Sequence, residues 1–290
     1  MRLVNALSPV IDIRQAIGAS LWPTIVDIYN SPSLLFRPAA LSSIVMAHVW
    51  ALFGNPTDEG GRPSKQSLIT PNAHGVVLEI GAGASRSTRK IEARMLYGSH
   101  FPGHGHTARY FDRNKVTKYL ALEPNTRMHS LIRASAKAAG FTEEDGTLVI
   151  IPCGAQDTSS ILEALEATQP PVETIVSVLT LCSIPSPERA IRNLVRDVLA
   201  PGGNFLFYEH VLSPREDVAW WQRAWAPLWA VIFGGCRLDT PTHSLVDDLT
   251  LPEENGVETS AWSERRLWGK EGENEENIFW HQVGKFVKRG

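Results

Sequence analysis

The chain has 290 residues, with 28 Lys and Arg against 31 Asp and Glu, a formal net charge of −3 and 43% hydrophobic residues. It is long enough to bury a full core, and its near balance of charge argues against a nucleic-acid partner held through phosphate contacts. Three cysteines, Cys153, Cys182 and Cys236, form no CxxC pair, so neither a disulfide framework nor a zinc site is expected and no metal is assigned.

In chain order, the first 30 residues lack the basic start and unbroken apolar core of a secretory signal, because Asp12, Arg14 and Asp27 interrupt them. A cytoplasmic location is expected. Residues 34–53 (LLFRPAALSSIVMAHVWALF) form the most apolar window, broken by Arg37, Pro38 and His48. From Pro38 onward the pattern predicts a helix of about 15 residues, shorter than the roughly 20 needed to span a bilayer. Two readings stay open for it: a helix packed against the core or over the active site, and a peripheral contact with an endomembrane surface. Residues 55–74 are rich in Gly, Pro and polar side chains and read as a linker. This divides the chain into an N-terminal helical extension, 1–74, and a main domain, 75–290.

The main domain opens with VVLEIGAG (76–83), a short apolar run that passes through Glu79 into Gly81-Ala82-Gly83. A buried parallel strand entering a tight, ligand-approaching turn has this form. The second strand, KYLAL (118–122), ends in Glu123-Pro124-Asn125, which places an acid at a strand tip where ribose hydroxyls are bound in nucleotide folds. Such an acid ordinarily follows the glycine turn by about 20 residues. Here Glu123 lies 40 residues after Gly83, and a second cluster, Gly103-His104-Gly105, precedes it by 18. Without residues 83–102 the chain would read VVLEIGAGHGHTARYFDR, a complete turn at normal spacing. Residues 83–102 are therefore read as an insertion into the cofactor loop, either a surface excursion or a segment retained through a faulty gene model. The alternative is that Gly81 and Gly83 form the whole turn and the second cluster is another loop.

Beyond the insertion, helices are expected over 107–113 and 126–139, the latter capped by Gly140, with a third strand at 148–151 leading to Cys153-Gly154-Ala155-Gln156-Asp157. A fourth strand, 174–181 (TIVSVLTL), runs into Cys182-Ser183-Ile184-Pro185. An amphipathic helix over 187–199 stops at Pro201-Gly202-Gly203 and a fifth strand follows at 204–211 (NFLFYEHV). Trp221, Trp225 and Trp229 recur at spacing four, one stripe of a helix that Pro227 interrupts. Two strands near 266–268 and 279–287 flank an acidic turn and should supply an antiparallel end to the sheet. Strands alternating with helices indicate a doubly wound α/β fold.

LEIGAG, ALEPN, CGAQD, LTLCSIP and VLAPGG followed by FLFYEHV resemble, in order and spacing, the class I S-adenosylmethionine-dependent methyltransferases, over residues 76 to 240. LTLCSI, LAPGGNFLFYEHV and WWQRAWAPLWAVIFGGCRL are similar to the alkyl-thiol methyltransferase group and its fungal relatives, although here the glycine motif is split. The resemblance implies a seven-stranded, mostly parallel sheet with an antiparallel C-terminal strand, preceded by N-terminal helices. It implies S-adenosylmethionine as cofactor, held by Glu79, Gly81, Ala82, Gly83, Gly103, Gly105, Glu123, Asn125, Met128, Ala155, Asp157 and Leu181. His210 and Glu209 are the candidate catalytic groups, His210 as a base for a thiol. Cys182, Trp221 and Trp225 are expected toward the acceptor, a small lipophilic molecule and in first place a thiol. The rival readings are an O- or C-methyltransferase of fungal secondary metabolism and a methyltransferase-like binding protein without catalysis. No residue pattern bears on oligomeric state.

Overall fold

The computed structural model describes residues 1–82, 106–166, 171–253 and 256–290. Helices α1 (Leu3–Ala6), α2 (Ser8–Asn30) and α3 (Pro38–Asn72) lead into strand β1 (Gly75–Ile80). Then come β2 (Val116–Leu122), α4 (His129–Ala138), β3 (Leu148–Ile151), α5 (Thr158–Glu166) and β4 (Val172–Val178). Helix α6 (Pro187–Asn193) continues as a wider turn to Val198 and is followed by β5 (Leu199–His210) and α7 (Glu216–Ile232). The C-terminal part holds α8 (Thr242–Asp247), a small hairpin of β6 (Thr250–Pro252) and β7 (Glu258–Ser260), and strands β8 (Trp262–Gly269) and β9 (His281–Lys288).

The main sheet has the order β3-β2-β1-β4-β5-β9-β8. The first five strands pair in parallel, while β9 runs antiparallel to both neighbours. The expected seven-stranded, mostly parallel sheet with an antiparallel C-terminal strand is thus the observed one. Alternate residues of each strand face opposite layers. Val76, Leu78 and Ile80 join Ile191, Leu194, Phe205 and Phe207 in one core, while Val77, Tyr119, Leu206 and Tyr208 join Leu68, Ile69 and Ile132 in the other.

Several expected boundaries move. The linker expected over 55–74 is the second half of α3, a continuous helix despite Pro56, Pro63 and Pro71. Tertiary contacts override composition there. Leu68 and Ile69 are fully buried, and buried Asp58 accepts from Lys65, from Arg109 and from the Tyr110 hydroxyl. Gly61 brings the helix so close to β5 that a Cβ would stand 2.9 Å from the Tyr208 ring. The helix expected over 107–113 is a short 3₁₀ turn, His106–Tyr110. Strand β4 stops at Val178, and 181–183 form a tight turn. Strand β5 begins five residues earlier than expected, because Pro201-Gly202-Gly203 bulge within it: Val172 pairs with Leu199 but Thr174 already pairs with Asn204.

Helices α1 and α2 expose many large apolar side chains, among them Leu3, Val4, Ile11, Leu21 and Trp22, and Phe36 on the following turn is 87% exposed. Among the described residues no helix is long and apolar enough to cross a membrane.

Candidate active site

The C-terminal tips of β1 and β2 form one wall. Gly81 turns the chain with φ +65°, and a Cβ there would lie 2.5 Å from the Thr180 side chain, so only glycine brings this turn against the tip of β4. The Ala82 N–H donates to the Leu122 carbonyl at 2.9 Å, which ties the turn to β2. Two acids sit behind it. Glu79 is buried and accepts from the Tyr119 hydroxyl; burial raises its pKa to about 7 against the bonds to Thr107 and Tyr119. Glu123 is 7% exposed and accepts from the Asn125 N–H at 2.7 Å. Its pKa is also about 7, raised first by burial and further by the charge of Glu79.

The remaining expected cofactor residues divide by role. Asn125 accepts from the Arg127 N–H and donates to the Ser43 carbonyl, fixing the loop after β2 to α3. Met128 and Ala155 are core side chains, 3% and 4% exposed. Asp157 accepts from the Ser160 N–H and from the Ser159 and Ser160 hydroxyls, the contacts of a helix cap at the start of α5. Leu181 is fully buried beneath the turn that it begins. Gly83, Gly103, Gly105 and the whole expected insertion, 83–102, lie outside the described residues.

The other wall is the tip of β4 and β5. Leu179 takes the left-handed conformation with φ +53°, a strained state for a branched side chain that surrounding bonds must hold. Its N–H donates to the Tyr208 carbonyl at 2.9 Å. Glu209, fully buried, accepts at one oxygen from the Ser177 hydroxyl and from the N–H groups of Thr180 and Leu181 at 2.7, 2.9 and 3.2 Å. The geometry makes Glu209 the peg on which this turn is folded. Strand parity points it away from the face that carries Tyr208 and His210.

On that other face lies a cavity of ≈ 380 Å³ between the sheet, α3 and α7. Met46, Trp50, Trp229, Phe233 and Phe279 give it an apolar wall, and His210, Cys236 and Ser183 supply polar atoms at its floor. From the tryptophan stripe the cavity takes Trp229, stacked on Phe233 with centroids 3.8 Å apart, rather than Trp221 or Trp225. Trp225 instead donates its Nε1 to the Ala6 carbonyl, 2.8 Å away, and Trp221 packs edge-on against Trp220. Cys182 is buried, with its Sγ 3.3 Å from Cys236 Sγ, which in turn lies 3.1 Å from His210 Nε2. The contact with Cys236 and then burial push the Cys182 thiol well above its ordinary range. Cys236, inside the tract WWQRAWAPLWAVIFGGCRL, and Phe279, at the start of an expected strand, were not singled out as site residues; the double glycine before Cys236 was the available signal.

Residues 102–244 match a family model described as a methyltransferase domain. The chain is 43% identical over 70 residues to human thiol S-methyltransferase TMT1A, covering 23% of this chain and 28% of that protein. It is 40% identical over 83 residues to rat thiol S-methyltransferase TMT1B, covering 28% of this chain and 34% of that one. The matched part thus spans about a third of the length of these relatives. An O-methyltransferase family protein from Burkholderia thailandensis has a similar fold, with a TM-score of 0.54 at 11% identity over 97% of this chain and 72% of that one. The matched residues take in strands β2 to β5 of the sheet, so this stretch of the chain is similar to a methyltransferase domain.

Proposed function

We propose that the protein transfers a methyl group from S-adenosylmethionine to the sulfur of a small lipophilic thiol. The observation that carries this reading is the apolar cavity at the tips of β4 and β5, which Leu179 and Ser183 line on either side of the turn that meets Gly81 through Thr180, and which has thiol and imidazole groups on its floor. The partial likeness to thiol S-methyltransferases supports the same acceptor class.

The residues present fit the cofactor. Gly81 lets the turn after β1 close against Thr180 at the tip of β4, and Glu79 and Glu123 are buried acids whose ionised forms a cationic ligand would favour. Glu123 takes the ribose hydroxyls and Glu79 orders the turn toward the amino group. When bound, the cofactor supplies an electrophilic methyl on a sulfonium. The chain's own work is then to orient the acceptor and keep water away, because an in-line displacement gains most from positioning. Trp229, Phe233 and Phe279 hold the acceptor's apolar body, and Glu209 fixes the turn between Leu179 and Ser183, both of which line the cavity.

Calorimetry with S-adenosylmethionine, S-adenosylhomocysteine and NAD tests the cofactor. Labelled donor offered to matched alkyl thiols and phenols tests the acceptor. Methylation of thiols is expected; transfer to phenols alone would replace this reading with the O-methyltransferase one, and donor binding without transfer would leave a binding protein.

A further inference from the structure

The floor of the acceptor cavity brings together three soft ligands that the sequence scatters. We propose that Cys182, His210 and Cys236 form a three-ligand site for a zinc-type divalent ion, with its fourth position open to the cavity and taken by the acceptor's sulfur. The ion site stands on the geometry alone, and the role given to its fourth position rests on the thiol reading above.

The donor atoms of the three residues all lie within 4.8 Å of one another. Two separations are 3.3 and 3.1 Å, S to S and S to N. A tetrahedral zinc with bonds of about 2.3 Å to sulfur and about 2.0 Å to nitrogen needs separations of about 3.8 and 3.5 Å. Reaching that geometry asks for shifts of about half an ångström on these two sides, with the third side already within 4.8 Å. The three come from different elements, and each is brought in by a specific device. His210 ends β5 on its cavity face. Cys182 sits in the turn pegged by Glu209. Cys236 follows Gly234 and Gly235, both left-handed at φ +59° and +91°, which reverse the chain after α7. The Arg237 N–H then donates to the Cys182 carbonyl at 3.1 Å, clamping the two cysteine segments together.

The chemistry of the set is selective. Two thiolates and an imidazole favour zinc over magnesium or calcium, and three protein ligands with one open position is the arrangement of a reactive rather than a structural site. Two thiolates also cancel the charge of a divalent ion, so the loaded site is neutral, as suits a floor where Cys182 and His210 are 4% and 6% exposed. Of the three, Cys236 and His210 line the cavity, which turns the open position toward its apolar interior.

Loading the ion releases the protons of both cysteine thiols to solvent. An acceptor thiol that takes the fourth position also gives up its proton to solvent, because a coordinated thiol is held as the thiolate. That thiolate sulfur attacks the methyl carbon. The new sulfur–carbon bond forms as the carbon–sulfonium bond breaks, and the electron pair of the broken bond stays on the donor sulfur. The neutral thioether is a weaker ligand and leaves.

The full chain, stripped with a chelator and reloaded with cobalt(II), provides the test. One ion per chain and a thiolate-to-cobalt charge-transfer band are expected. Cys236→Ser should weaken binding by more than the about 10- to 100-fold that a supporting outer residue costs, and Cys153→Ser should leave stoichiometry and band unchanged. Should Cys236→Ser fail to fold, thiol titration of the unsubstituted chain serves instead: one reactive cysteine when loaded, three when stripped. A short alkyl thiol should perturb the band, and an unperturbed band would overturn the fourth-ligand role. Failure of the stripped chain to bind cobalt with a charge-transfer band, or a two-hydrogen mass deficit marking a Cys182–Cys236 disulfide, would overturn the site. An intact cobalt band in a protein that methylates only phenols would refute the thiol reading and leave the site standing.

Discussion

Replacing Glu123 by glutamine should move stability and cofactor affinity in opposite directions. The carboxyl has an ordinary value of 4.5 and is held at about 7 in the fold, chiefly by burial. Between these values the folded chain keeps a proton that the unfolded chain has released, so the group's contribution to stability is complete below about 4.5 and lost as pH rises through about 7. At about pH 8 the ionised buried acid costs on the order of 3 kcal/mol, taking about 1.36 kcal/mol per pH unit of separation. Glu123→Gln keeps an oxygen for the Asn125 N–H but carries no charge. The variant should therefore gain up to about 3 kcal/mol near pH 8 and nothing near pH 4.5. It should also bind S-adenosylhomocysteine at least ~10-fold more weakly, since a hydrogen bond to a charged group is worth about 1.5 to 3 kcal/mol. Urea denaturation of the ligand-free chain at both pH values, with calorimetry at the higher one, checks both numbers. A variant less stable than the parent near pH 8 refutes the charge argument, and unchanged affinity refutes the ribose role.

Gly81→Ala should lose about 1 to 3 kcal/mol from its positive φ and its clash with Thr180, and calorimetry should show weakened donor binding; retention of both would mean that the turn can relax. Asp58→Asn leaves buried Lys65 without its carboxylate and should cost about 3 to 5 kcal/mol by urea denaturation, a loss below about 1 kcal/mol being the contrary result. Trp225→Phe removes the bond to the Ala6 carbonyl and should cost about 1 kcal/mol with turnover unaffected; lowered turnover at intact stability would return Trp225 to the acceptor pocket. The split glycine motif predicts that deletion of residues 83–102 raises affinity for S-adenosylmethionine, and equal or lower affinity would show that Gly83 belongs to the working turn.

The parallel strands were legible because strands buried on both faces read as near-continuous apolar runs, and Val76–Ile80, interrupted only by Glu79, and Tyr119–Leu122 have that form. The second half of α3 was not legible: its helical state rests on Arg109, Tyr110 and Tyr208, distant in sequence, while its own prolines and glycines argue for a loop. Strand parity could have separated Glu209 from His210 beforehand, since neighbours in β5 face opposite layers. Spacing four identified the tryptophan stripe, but helix periodicity cannot say which member meets a cavity and which spends its N–H on α1. A search for CxxC pairs looks only along the chain, whereas Cys182 and Cys236 meet across 54 residues.

Helix α3 is one rod of 35 residues, about 52 Å long at 1.5 Å per residue. Near one end its Ser43 carbonyl receives Asn125, which belongs to the loop that begins at Glu123. Further along, Met46, Val49, Trp50 and Thr57 line the acceptor cavity. A ligand that displaces the rod from either side therefore alters the lattice of contacts on the other. Linkage makes this reciprocal: whatever factor an acceptor imposes on donor affinity, the donor imposes on acceptor affinity. Bulky acceptors that push on Trp50 would then change donor affinity through a helix whose far contact is with Asn125.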